Sequence, residues 1–348
     1  MSEIVLYRKY RPQKFEEVLG QDHIIKVLCS ALKSGRVSHA YLFSGSRGIG
    51  KTSVARIMAR DLGSTENDIY EIDAASNRGI DEIRSLREAV RTLPLESKYK
   101  IYIIDEVHML TKEAFNALLK TLEEPPAHAI FILATTELEK VPDTIVSRCQ
   151  TFVFRKPSDK LLKDSILNIA QREKLQISEA GAELIALLSE GSFRDAQGIL
   201  QKVTSFSGDR KLDIAEIEEV TGAPRSALVN NFIKVLCEKK LEDGLGVISQ
   251  AGKENLDMKI FLKLVVHKFR TALILRYAPE MKNEVSHLVS ESDLEFLKKL
   301  VKEHSSAVRS QTLEVLLEAY QAGKNALIPE LPLELALIKI LGQDDSGK

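Results

Sequence analysis

Asp105 and Glu106 follow the apolar run Ile101-Tyr102-Ile103-Ile104, and adjacent carboxylates at the end of a buried strand can divide a hydrolytic task. Asp105 would hold Mg²⁺ through water while Glu106 orients and deprotonates the attacking water. By themselves the two acids could equally cap a helix. The stretch Gly45-Ser46-Arg47-Gly48-Ile49-Gly50-Lys51-Thr52 bears on that choice, because it fits G-x-x-x-x-G-K-[ST] at every fixed position. An apolar run, His39 to Ser44, leads into it, and Lys51 to Arg60 continues with Val54, Ile57 and Met58 on helical spacing. Strand, glycine loop and helix together make a phosphate site. The glycines let backbone N–H groups turn inward, and the helix N-terminus adds its positive dipole end. Lys51 would reach the β and γ oxygens, the Thr52 hydroxyl would hold Mg²⁺, and Ser53 completes the nucleotide-binding stretch. A glycine-rich turn capped by Thr52 is the plainer alternative, which these flanks disfavour.

Two further residues have chemistry that spacing leaves open. Thr136, at the end of the run Ala129 to Ala134, could place the attacking water beside a γ-phosphate, or could be ordinary strand packing. Arg148, in Ser147-Arg148-Cys149, could be a surface ion pair, or an arginine finger offered to a neighbouring subunit's γ-phosphate.

The elements that must position these groups read as an α/β P-loop domain. Apolar runs at residues 39–44, 69–72, 101–104, 129–134 and 151–154 alternate with helical stretches at 22–32, 51–60, 80–93 and 111–124, the last stopped by Pro125-Pro126. Buried strands alternating with helices make a parallel sheet covered on both faces. Beyond Pro157 the strand signal disappears. Helices are expected at 160–172, 178–189, 193–206 and 214–220, then, past the boundary at Thr221-Gly222-Ala223-Pro224, to Leu341, including long segments at 258–277 and 307–325. The expected organisation is an ATP-binding domain at 1–157, a small helical lid at 158–222, an all-α collar at 223–341 and a disordered tail at 342–348.

A chain of 348 residues is too long for one ordinary core and predicts about two or three domains. The 44% apolar share supports globular folding, and no apolar run approaches a membrane span. The first eight residues lack the layout of a signal peptide, so the expectation is a cytoplasmic protein with no membrane partner. Three widely spaced cysteines make neither a disulfide framework nor a C-x-x-C pair. With 49 basic against 50 acidic residues, any DNA contact must be local or come through assembly.

Taken together, these residues resemble the clamp-loader branch of the AAA+ ATPases, above all its bacterial gamma/tau members. The likeness is carried by Tyr7 to Pro12, Gly20-Gln21, His39-Ala40-Tyr41, the P-loop, Glu71 to Ser76 and Asp105 to Leu110. It continues through Phe115 to Pro126, Ala134-Thr135-Thr136, Ser147-Arg148-Cys149 and Gly191 to Ala196, with Pro329 to Ala336 near the end. It implies ATP hydrolysis that drives loading of a sliding clamp onto primed DNA within the DNA polymerase III complex. ATP and Mg²⁺ are then the cofactors. The partners are delta, delta-prime and further gamma copies, the clamp, and the backbone of primer-template DNA, in a bacterial cytoplasm and near the nucleoid. By position it makes Arg194 a second sensor, Arg148 the finger acting in trans, and Arg11 and Val18 part of the adenine pocket. Arg84, Lys120 and Thr144 would face DNA. Arg84, Arg87 and Arg91 share one face of their expected helix, a pattern that also fits a solvated face.

The resemblance fails in one place. Family members carry a four-cysteine zinc module between the P-loop helix and the following strand, whereas Asp61 to Asn67 holds no cysteine, so no zinc is expected. The chain also stops after the collar, as a gamma-like product or a truncated form would, short of the extensions by which tau forms bind polymerase and helicase. Two alternatives stand beside this reading. A non-hydrolysing delta-prime-like subunit is disfavoured by intact Lys51, Thr52, Asp105 and Glu106. A different AAA+ machine, such as a branch-migration helicase, would need DNA-translocating loops, and no candidate insertion is present.

Overall fold

The computed structural model describes residues 4–281, 289–323 and 326–342. By its internal contacts the chain divides into two units, Met1–Leu162 with Ser189–Gly198, and Lys163–Leu188 with Ile199–Lys348.

The first unit is built on five parallel strands: β1 (Ala40–Ser44), β2 (Ile69–Asp73), β3 (Lys100–Asp105), β4 (Ala129–Thr135) and β5 (Gln150–Val153), in the order β2-β3-β4-β1-β5. The central three are apolar on both faces because both faces are covered. Alternate residues point to opposite sides. Leu42, Tyr102, Ile104, Phe131 and Leu133 join one core, while Tyr41, Phe43, Ile101, Ile103 and Ile132 join the other. Around the sheet lie α1 (Leu6–Lys9), α2 (Asp22–Ser34), α3 (Lys51–Asp61), α4 (Ile80–Val90), α5 (Lys112–Glu123) and the single turn α6 (Asp143–Val146). Local chemistry sets their ends. Thr111 caps α5 by accepting from the Ala114 N–H, and Gly35 ends α2 in the left-handed conformation. All five strands point the same way, so the loops after β1, β3 and β4 emerge along one edge, where open parallel sheets place their sites.

In the second unit the secondary structure is almost wholly helical. α7 (Asp159–Arg172), α8 (Glu179–Leu188), α9 (Phe193–Phe206) and α10 (Ile214–Thr221) come first, with α7 beginning and α9 opening inside the first unit. They are followed by α11 (Ser226–Cys237), α12 (Leu241–Lys253), α13 (Met258–Tyr277), α14 (Glu291–Glu303), α15 (Ser310–Ala322) and α16 (Leu331–Leu341). One continuous core, including Phe232, Phe261, Phe269, Leu297 and Leu316, holds α11 to α16 together.

Three expectations need correcting. Strand structure does not vanish after Pro157: Gln176–Ile177 (β6) and Lys211–Leu212 (β7) pair in parallel. Two residues are too few to leave a periodic signature. The helix expected over 80–93 stops at Val90, with Arg91 as its C-cap and Leu93 exposed, since Pro94 pushes the residue before it out of helical geometry. The segment expected at 307–325 begins as an isolated turn at Ser305–Ala307, and its helix starts at Ser310. Asn325 and the tail beyond Gly342 lie outside the described residues.

Candidate nucleotide-binding and hydrolytic site

The loop between β1 and α3 has a backbone that only glycine accepts. Gly45, Gly48 and Gly50 take φ values of 142°, 74° and 106°. A Cβ on Gly45 would meet the Phe154 carbonyl at 2.8 Å, and one on Gly48 would meet Ser192 Oγ at 2.0 Å. α3 starts at Lys51 with Gly50 as N-cap and no side-chain hydrogen bond at the cap, and the first-turn N–H groups of a helix have no acceptor within the helix. Ser46 and Arg47 are exposed on this loop, and Ile49 is buried beneath it. Lys51 is buried and folds back to donate from Nζ to the Gly45 and Ser46 carbonyls at 2.6 and 2.9 Å. Burial lowers its pKa, opposed by the negative charges of Glu106 and Asp105.

The hydroxyl of Thr52 donates to Asp105 Oδ2 at 2.9 Å, which joins the start of α3 to the end of β3. Asp105 Oδ1 accepts from the Glu106 backbone N–H at 3.0 Å. Glu106 itself sits in the left-handed region at φ 49°, ψ 44°, a conformation costly for a side-chain-bearing residue and frequent where function demands a particular aim. Its Oε2 accepts from Thr136 Oγ1 at 3.0 Å and from Thr136 N at 3.3 Å.

The remaining candidates take definite places. Arg194 is exposed in the first turn of α9, its guanidinium 4.8 Å from the centroid of the Tyr7 ring. The Phe193 N–H donates to the Gly48 carbonyl at 3.0 Å, tying this helix start to the P-loop. Arg11 is half-buried. Burial and the charges of Arg56 and Arg194 lower its pKa, while Glu71 and Asp105 oppose them. Val18 is buried with Phe15 and Ile24. Arg148 donates from Nη2 to Glu123 Oε1 at 2.7 Å and from Nη1 to the Thr144 carbonyl at 2.8 Å. Arg84, Lys120 and Thr144 are exposed on α4, α5 and α6, helices that pack successively against one another. Arg84 pairs with Asp81. Ser53 is half-buried in the first turn of α3.

A family model described as "DNA polymerase III, delta subunit" matches residues 20–78 and 64–158. The DNA polymerase III subunit tau of Bacillus subtilis is 39% identical over 98% of this chain and 63% of its own length. The subunit gamma/tau of Mycobacterium tuberculosis is 34% identical over 97% of the chain and 62% of its own. Over nearly its whole length the chain is similar to gamma/tau subunits of DNA polymerase III. It spans somewhat under two thirds of the length of these relatives. The subunit tau of Escherichia coli is 36% identical over 75% of this chain and 44% of its own length. Among solved structures, the Holliday junction branch migration motor RuvB of Thermotoga maritima superposes with a TM-score of 0.52 at 23% identity. That match covers 66% of this chain and 80% of RuvB, and gives the first unit an AAA+ fold.

His108, Glu137 and Tyr7 also lie against the site residues, and the sequence carries no signal that marks them. His108 stands within the run Asp105 to Leu110, yet no local pattern connects it to Thr135 and Glu137.

Proposed function

We propose that this chain is an ATP-hydrolysing motor subunit of the DNA polymerase III clamp loader, acting on the sliding clamp at primed DNA with delta, delta-prime and further gamma copies. The observation that carries this reading is the Thr52–Asp105 hydrogen bond at 2.9 Å. It sets the two halves of the nucleotide site against each other, with Glu106 immediately beside them. Glycine-only backbone and an uncapped helix start suit a triphosphate, and Lys51 stands ready to exchange its carbonyl partners for phosphate oxygens.

Thr52 and Asp105 are the residues that would hold Mg²⁺, a hard cation that oxygen donors suit. When bound, the ion supplies positive charge to the phosphate oxygens. Among the described residues no group of three or more His, Cys, Asp or Glu is arranged to hold a metal. Glu106, fixed by Thr136, orients and deprotonates the attacking water. Arg194 reaches the γ-phosphate of its own site after leaving Tyr7, and Arg148 serves the adjacent subunit's ATP. Arg11 and Val18 border the base, and Arg84, Lys120 and Thr144 contact DNA phosphates without reading sequence. In this reading residues 1–157 form the motor domain, 158–222 the lid and 223–341 the collar. No described helix is long and apolar enough to cross a membrane.

The family model's delta description raises the delta-prime-like alternative, a subunit that does not hydrolyse ATP. The paired Thr52–Asp105 and Glu106–Thr136 contacts favour the motor. ATP turnover by the chain with partner subunits, clamp and primed DNA tests the choice. Stimulation by clamp and DNA, lost together with ATP binding in Lys51→Ala, is the expected result. Turnover indifferent to clamp and DNA would remove the clamp-loading role, and failure to retain Mg-ATP would remove the motor.

A further inference from the structure

His108 is a buried, titratable side chain beside the site to which the reading above gives no task. It sits on the turn Val107–Met109, its side chain 5% exposed. Both ring nitrogens are engaged. Nδ1 lies 3.0 Å from Thr135 Oγ1 and 3.5 Å from Glu106 Oε2, and Nε2 lies 3.2 Å from Glu137 Oε1. Thr135 Oγ1 already accepts from the Glu137 N–H at 3.0 Å, leaving its hydroxyl proton for Nδ1. The neutral tautomer protonated at Nε2 therefore satisfies Thr135 and Glu137, with Nε2–H donating to Glu137 and the Nδ1 lone pair giving Glu106 no donor. Glu137 is held from its other oxygen by Lys140 Nζ at 2.7 Å.

We propose that His108 is a positioning residue for Glu106, an imidazole pinned between Thr135 and Glu137 that keeps the Glu106 carboxylate turned onto Thr136. The inference rests on the reading of Glu106 as the residue that activates water. The carboxylate has Thr136 donors on one side and the ring edge on the other. Swinging it away from Thr136 toward the ring requires the ring to leave two hydrogen bonds in a water-poor setting, where a broken bond is not replaced. Glu106 also occupies a left-handed backbone conformation, which surrounding structure must maintain. A pinned ring two residues further along the same turn does so. The chain of contacts Glu106–His108–Glu137–Lys140 runs outward from this buried point to residues that are substantially exposed. The Glu137–Lys140 turn thus bears on the hydrolytic carboxylate without touching nucleotide.

The test is ATP turnover and equilibrium ATP binding by the full chain assembled with partner subunits, clamp and primed DNA. His108→Phe keeps the ring and removes both nitrogens. It is expected to lower kcat about tenfold or more with KM and ATP affinity within about twofold of wild type. His108→Gln, which can again reach Glu137, is expected to regain part of the loss. Should His108→Phe not fold, Glu137→Ala takes its place, with the same split between kcat and KM expected. A kcat within about twofold of wild type in the folded variant, or a parallel loss of ATP affinity, overturns the proposal. Glu106→Gln is the control. If it retains full turnover, the reading of Glu106 fails; if it is inactive while His108→Phe is not, the inference about His108 alone fails.

Discussion

Thr136 and Glu106 are joined twice: the hydroxyl and the backbone N–H of Thr136 both donate to Glu106 Oε2, at 3.0 and 3.3 Å. The residue after β4 thereby aims the residue after β3. Thr136→Val keeps the shape and the N–H but removes the hydroxyl. Its expected effect is a fall of about ten- to a hundredfold in single-turnover hydrolysis by the assembled complex, with ATP affinity unchanged. Thr136→Ser, which retains the hydroxyl, should stay near wild type. Equal losses in the two variants would refute the aiming role.

Arg148 is held from two directions, by Glu123 Oε1 and by the Thr144 carbonyl. Both partners of the ion pair are partly exposed, at 35% and 49%, so the pair adds little to folding. Glu123→Ala should shift stability by less than about 0.5 kcal/mol in thermal melts. Arg148→Ala should leave ATP binding intact and sharply reduce clamp-stimulated turnover. Arg148→Lys should not restore it, because an ammonium cannot reproduce the planar two-donor fork. Full turnover with Arg148→Ala would exclude the finger role.

Asp68 is a buried carboxylate that organises the connection between α4 and β3. It accepts from the N–H groups of Leu95, Glu96 and Ser97 at 2.6, 2.9 and 2.8 Å. Burial alone would push its pKa up, but these donors and the Ser97 side chain outweigh it and bring the value down to about 2. A folded-state pKa below the unfolded one stabilises above the ordinary carboxylate range, and that contribution is lost as pH falls from about 4 toward about 2. Melting temperature should therefore decline over that window, and less steeply in Asp68→Asn. At neutral pH, Asp68→Ala, which strands the three donors, is expected to cost about 1–3 kcal/mol.

In the helical unit, Lys268 Nζ donates to Asp293 Oδ1, Ser226 Oγ and Asn230 Oδ1 at 2.7, 2.7 and 2.8 Å, and both charges are buried. Burial lowers the Lys268 pKa against the pull of Asp293. The Asp293 carboxyl is raised by burial, but Lys268 and the hydrogen bonds from Asn230 and Ser226 outweigh that and leave it lowered. Lys268→Met alone leaves a buried carboxylate without its cation and should destabilise by about 3–5 kcal/mol in denaturant titration. Adding Asp293→Leu should recover most of that loss. A double variant no better than the single one would mean the polar network is required for folding in its own right.

Much of the fold was legible because its signals are local. The apolar runs at 101–104 and 129–134 read as buried strands since every side chain there meets a covered face. The P-loop read as a phosphate site since Gly45, Gly48 and Gly50 need backbone angles that other residues resist. β6 and β7 were missed, being too short to show a period. The end of α4 was misplaced because apolar spacing continued past the point where Pro94 forbids helix.

Residue types and short-range spacing thus determined the parallel sheet, the glycine loop, the two acids and the succession of helices, since each depends on backbone preference or on side chains within a turn of one another. Tertiary structure alone decided that Thr52 meets Asp105 across 53 positions, that Thr136 meets Glu106 across 30, and that His108 stands between Thr135 and Glu137. Those meetings follow from parallel strand order and register, which bring the ends of β1, β3 and β4 to one edge. No local propensity encodes that arrangement; it arises when the two faces of the sheet are buried together.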